Sequence, residues 1–231
     1  MLNRPSPFGP DWLNPINLML LEVIYSIIIA VICLLIYFKT KNLYSLTKHE
    51  GIARFRNTFF YFALAYLSKL LIFFESTSRL LFSFEFLPLF SSLNFLLIGY
   101  FSMVALFYLS LTIIARNIKE TKRLDLITHL AAIIISIITF LTRSPEISTI
   151  IQLTVIFTSI IFLFKKTKFK FFNQNRIIYY SLFTLWIVNL LFVNRFFIST
   201  FRIPIYALSV IAFLMIYLKV RKRLLNVKKE G

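Results

Sequence analysis

Two charged residues stand where charge is costly. Glu22 lies inside the first long apolar run and Lys69 inside the second, in a chain of 231 residues that is 59% hydrophobic and 15% charged. A hydrocarbon interior tolerates such a group only when a partner satisfies it or its side chain reaches water. A helix rises about 1.5 Å per residue, which puts Glu22 and Lys69 each roughly 9 Å below the same end of consecutive antiparallel helices. Two arrangements meet the requirement. The residues form an ion pair, or Lys69 extends to the headgroups while Glu22 rests as a neutral acid against a polar neighbour. As a pair they are candidates for ligand binding or ion coupling.

Further polar groups crowd the same end of the bundle: Asn94 in the third apolar run, Gln152 in the fifth, and Asn189, Asn194 and Arg195 in the sixth. Such asymmetry fits a cleft opening outward to a small or lipidic ligand. The plainer alternative is interhelical hydrogen bonding, each bond contributing about 0.6 kcal/mol. Trp186 lies mid-run with Asn189 one turn on, so it either lines a pocket or fills core, since indole is apolar with a single donor. In the fourth run His129, Ala132, Ser136, Thr139 and Arg143 recur at steps of three and four. That spacing puts them on one helical face, and the other faces are almost entirely Leu and Ile. The stripe must look into the bundle. Ser148, Gln152, Val155 and Ser159 repeat the pattern in the fifth run.

Much chemistry is excluded by composition. His49 and His129 are the only histidines, Cys33 the only cysteine, and Asp11 and Asp125 the only aspartates. Zinc motifs of the HExxH kind, an intramembrane aspartyl dyad and an intrachain disulfide are therefore absent. The four glycines form neither a phosphate-binding loop nor a GxSxG elbow. The seventh run has no central lysine for a retinal Schiff base. The expectation is a protein that is not an enzyme and holds no metal or cofactor.

The elements that position these residues are apolar runs of a length that crosses a bilayer. The fold expected is an all-α, integral membrane bundle of seven transmembrane helices over residues 17–38, 57–74, 88–115, 124–142, 147–164, 177–198 and 203–218. A short segment, 1–16, precedes this domain of 17–219, and a basic tail, 220–231, follows it. The first run is expected to stay in the mature protein, because no small-residue cleavage pattern follows it. Thr47-Lys48-His49-Glu50 fits a capping box for the second helix, residues 75–87 read as an interfacial connection, and Pro88 opens the third helix. Twenty of the 26 Lys and Arg residues fall in three loops and the tail on one side, the first loop carrying Lys39, Lys41, Lys48, Arg54 and Arg56. Arg4, Arg79, Arg143, Arg195 and Arg202 fall on the other side. The positive-inside rule then puts the N-terminus outside and the C-terminus in the cytoplasm of a plasma-membrane protein. Cations spread over short loops are a topology signal, so the net charge of +17 does not imply nucleic acid. Anionic lipids at the cytoplasmic face, a cytoplasmic signalling protein or further copies of the chain are the expected partners.

The stretch Tyr44-Ser45-Leu46-Thr47-Lys48-His49-Glu50-Gly51-Ile52, continued by Phe55-Arg56-Asn57 and an aromatic span, resembles uncharacterised archaeal seven-helix membrane proteins. Some of those are similar to the membrane halves of sensor kinases. The resemblance covers about a third of the chain, in the first hairpin, and implies a sensor-like bundle without catalytic residues. Two functions stay open. One is a sensor or receptor-like module with an outward ligand cleft and a cytoplasmic partner. The other is a small transporter or channel that uses Glu22 and Lys69 for coupling, which a parallel three-plus-one-plus-three repeat would permit.

Overall fold

In lipid no water is present to satisfy backbone N–H and C=O groups, so runs this apolar can cross only as helices or as a closed barrel. The computed structural model describes residues 15–82, 88–114, 121–142, 145–165, 178–187 and 202–230. They form seven helices: α1 (Pro15–Thr47), α2 (Glu50–Phe82), α3 (Pro88–Ile114), α4 (Thr121–Thr142), α5 (Pro145–Lys165), α6 (Ile178–Ile187) and α7 (Arg202–Glu230). No strand occurs among the described residues. Five stretches are long and apolar enough to cross a membrane: Met19–Thr47, Glu50–Glu75, Ser92–Ile113, Lys122–Thr142 and Ile203–Asn226.

Three helices outrun the spans expected of them. α1 and α2 have 33 residues each and α7 has 29. At about 1.5 Å per residue they reach roughly 45–50 Å, against a hydrocarbon core of about 30 Å. The first basic loop is therefore mostly helix: Lys39 and Lys41 continue α1, Arg54 and Arg56 lie on α2, and Lys48 alone sits in the turn. The expected interfacial connection is helical through Phe82, and the tail is helical through Glu230.

The α1–α2 turn corrects the capping-box expectation. Thr47 is still the last residue of α1, and its hydroxyl donates back to Leu43 O at 2.9 Å. Lys48 takes the left-handed conformation, φ 50°, that usually ends a helix at glycine. His49 then caps α2, its Nδ1 accepting the Gly51 N–H at 3.1 Å. A Cβ on Gly51 would stand 3.1 Å from His49 Cε1, so a larger residue there would have to shift the imidazole by a few tenths of an ångström.

Helix α2 lies between α1 and α3, α7 packs on the other side of α1, and α4 and α5 pack on α3 and on each other. At the centre Phe59 and Phe62 of α2 meet Phe213 of α7, with ring centroids 6.3 and 6.1 Å away. α6 joins through Trp186, 4.5 Å from Phe62, and Tyr179, 6.1 Å from Phe55. Lipid tails are as apolar as these side chains, so close packing rather than burial from water holds them together.

On α4, Thr128, Ala132, Ser136 and Thr139 are buried while Leu126, Ile127, Leu130, Ile134, Ile138 and Leu141 are exposed. The hydroxyls of that stripe are satisfied within the helix: Ser136 donates to Ala132 O and Thr139 to Ile135 O, both at 2.8 Å. They make a smooth face rather than interhelical bonds. Gly99 of α3 lies against it, and a Cβ there would meet Ser136 Oγ at 3.5 Å, an ordinary contact. Gly99→Ala should therefore fit without strain and stabilise the protein by about 0.5–1 kcal/mol through the usual helical advantage of alanine. Reversible unfolding in detergent measures this; a loss of stability would mean that α3 and α4 need closer approach than the geometry requires.

Candidate functional site

Glu22 is two turns into α1 and faces the C-terminal part of α2. Its Oε2 stands 3.8 Å from Lys69 Nζ, and the two side chains are 19% and 35% exposed. That distance is an ion contact but too long for a hydrogen bond. The other carboxylate oxygen, Oε1, accepts from the Tyr206 hydroxyl of α7 at 3.1 Å. Tyr206 stacks on Tyr25 at 4.3 Å, and Tyr25 bonds through its hydroxyl to that of Tyr66 at 3.2 Å. Lys69 Nζ also lies 5.5 Å from the centroid of the Phe73 ring, a cation–π distance. The result is one carboxylate and one ammonium, loosely matched and partly exposed, walled by three tyrosines from three helices.

The tyrosines were not among the sequence candidates, yet a signal for two of them existed. Tyr25 is three residues after Glu22 and Tyr66 three before Lys69, the spacing that puts side chains on one helical face. Tyr206 had no such signal, because its partner lies 184 positions away.

Gln152 and Trp186 are brought together at a second place. Trp186 Nε1 donates to Gln152 Oε1 at 2.8 Å, and Gln152 Nε2 donates to Ser148 Oγ at 3.0 Å. Both residues are buried, so this is a satisfied core lock between α5 and α6, with Phe62 against the indole. Asn94 is 2% exposed on α3, and its Nδ2 has no partner among the described residues. Asn189, Arg195 and Arg143 lie outside the described residues.

His129 sits at a third place, between α2, α3 and α4. Its Nδ1 is 2.8 Å from the Tyr100 hydroxyl, and its Nε2 is 3.4 Å from that of Tyr61 and 3.3 Å from that of Tyr108. Nothing in the hydropathy pattern singles out these hydroxyls, since tyrosine counts there as an aromatic residue. Among the described residues no group of three His, Cys, Asp or Glu could hold a metal ion.

An all-helical bundle with five helices fit to cross a bilayer, in which Glu22 and Lys69 are met by ionic and aromatic partners, points to a membrane protein. The chain is similar to an uncharacterized protein of Archaeoglobus fulgidus, 28% identical over 227 residues that cover 95% of this chain and 100% of the relative. No protein-family model matches it, and no solved structure does. The relative has no assigned role, so this likeness carries no weight for sensing or for transport.

Proposed function

We propose that the chain is a receptor-like membrane module. A small or lipidic ligand is taken up at the Glu22–Lys69 end, and the opposite, basic end signals to a cytoplasmic partner. The observation that carries this reading is that the ion pair and its tyrosines belong to α1, α2 and α7, the same three helices that continue unbroken past a bilayer's thickness. A ligand charge competing for Glu22 or Lys69 changes the contact between rigid rods, and rigid rods carry that change to their far ends. Seven spans, N-terminus outside and C-terminus inside at the plasma membrane, follow in this reading from the one-sided distribution of Lys and Arg. Lys41, Lys48, Arg221, Lys222 and Arg223, all exposed, then face anionic headgroups, each contributing about 1 kcal/mol near the surface.

Spin labels test the coupling. Cys33 is the only cysteine and is fully buried, so labels at Leu46→Cys and Asn226→Cys, both exposed positions, report on the far ends of α1 and α7. Breaking the pair with Lys69→Met is expected to move the distance between labels by about 2 Å or more, the scale of helix shifts in switching proteins. An unchanged distance, together with ion or solute flux in proteoliposomes that depends on Glu22, would replace this reading with a transporter that uses the pair for coupling.

A further inference from the structure

Seven residues make close to two turns of helix, so positions seven and fourteen apart keep to one face, drifting by about 20° per seven. Tyr61 of α2 and Tyr108 of α3 stack with centroids 5.7 Å apart, and Tyr61 also lies 6.3 Å from Phe101. These contacts mark the faces that α2 and α3 turn to each other. Glu75 is fourteen residues after Tyr61, and Asn94 is fourteen before Tyr108 and seven before Phe101. The two helices are consecutive, run antiparallel and pack extensively on each other. Equal steps, forward on one and back on the other, therefore end at one level, about 21 Å from the tyrosine pair. Both residues are buried there, Glu75 at 3% exposure and Asn94 at 2%.

A carboxyl and a carboxamide in direct reach of each other would bond. Asn94 makes no such bond: its Nδ2 is buried and meets no acceptor among the described residues. An N–H group in an apolar seam is costly in that state. One water molecule relieves it, because a buried water is held by two to four polar groups. Its oxygen accepts from Nδ2, and one of its protons goes to the Glu75 carboxyl group. The bridge works whichever way the Asn94 amide is turned, since a water with two protons can also donate to Oδ1. It asks for no particular charge on Glu75 either, because the neutral acid keeps an acceptor oxygen. Glu75 has further contacts, and the bridge leaves them in place.

We infer that a single water is bound between Asn94 and Glu75, sealed in the α2–α3 seam and separate from the Glu22–Lys69 pair. Lys69 turns to α1, whereas Glu75, six residues on, turns to α3. Toward the same end of the bundle α2 is thus held on two sides, to α1 by charge and to α3 through the water.

The full chain in lipid bilayers, labelled with nitrogen-15 asparagine and glutamine, tests this by solid-state magnetic resonance that passes magnetisation from water protons to side-chain amides. Asn94→Leu removes, and so identifies, the Asn94 signal. That amide is expected to draw magnetisation from water, whereas Gln152, also buried but bonded to Ser148 within the protein, should draw little. A gadolinium chelate confined to bulk water should quench the exposed Asn226 and spare Asn94. The transfer should be lost in Glu75→Leu and kept in Glu75→Gln, whose amide oxygen replaces the acceptor; circular dichroism checks that both variants keep their helices. An Asn94 signal that draws nothing from water in the parent chain would overturn the bridge, and so would transfer that survives Glu75→Leu. Quenching of Asn94 to the extent seen at Asn226 would overturn the sealed site, since the amide would then open directly to solvent.

Discussion

Lys69→Met is expected to lower the unfolding free energy by about 1–3 kcal/mol, between the range for exposed ion pairs and that for fully buried ones. Two unit charges near 4 Å attract by about 4 kcal/mol at an effective dielectric of 20, before desolvation and side-chain ordering are subtracted. Partial exposure of both groups, 19% and 35%, reduces that gross value further. Glu22→Gln should cost less than Lys69→Met. The amide still accepts from Tyr206, and the freed ammonium can reach outward past Phe73. In Lys69→Met, by contrast, the carboxylate keeps the Tyr206 hydroxyl at Oε1 but loses the ammonium beside Oε2, which leaves a negative charge in a poorly solvated place without its counter-charge. The double variant has no orphan charge and should be more stable than the sum of the single losses predicts, by about 1 kcal/mol. Reversible unfolding in detergent closes this cycle. Additivity within about 0.5 kcal/mol would mean that the 3.8 Å contact contributes no free energy.

Trp186→Phe should destabilise by about 2–3 kcal/mol through two separable effects. Phenylalanine leaves Gln152 Oε1 without the donor it now has at 2.8 Å. In membrane bundles such a bond averages about 0.6 and reaches about 1.7 kcal/mol. The smaller ring also opens a void beside Phe62, and a void of that kind costs a further 1–2 kcal/mol or so in large-to-small core changes. Gln152→Leu opens no void beside Phe62 but removes that bond together with the one to Ser148 Oγ; it should cost about 1–2 kcal/mol, because the indole N–H is then buried without an acceptor. Combining both changes should restore the polar part and leave the void. Thermal unfolding of the three variants separates the two effects. If Gln152→Leu is neutral, the bond has no net value, and the α5–α6 contact rests on ring packing alone.

How much of this protein was legible beforehand depends on which physical rule each feature obeys. Membrane class follows from run length and apolarity, because lipid leaves the backbone no choice but internal hydrogen bonding. The inward face of α4 follows from the three-and-four spacing of Ala132, Ser136 and Thr139, since a helix has a fixed period whatever surrounds it. That Glu22 and Lys69 come within reach of each other follows from equal depth on consecutive antiparallel helices. Where α1, α2 and α7 end did not follow. Beyond the bilayer no thickness limits a helix, and residues such as Lys39, Arg54 and Lys222 serve equally well in a loop or a helical turn.

Neighbour choice was hidden more deeply. Tyr206 reaches Glu22, Gln152 reaches Trp186, and Tyr61 and Tyr100 reach His129 only because α7 packs on α1, α6 on α5, and α2 and α3 beside α4. A single chain of apolar helices states the lipid-facing side of each and its depth, but not which helix lies beside which. Tyrosine adds to the difficulty, since its ring satisfies an apolar pattern while its hydroxyl waits for a partner. The sequence by itself determined the helical class, the apolar runs long enough to cross a bilayer and the place of Glu22 and Lys69 along them. Tertiary structure alone decided which hydroxyls meet those charges, because that depends on the order of helices around the bundle, which side-chain periodicity does not encode.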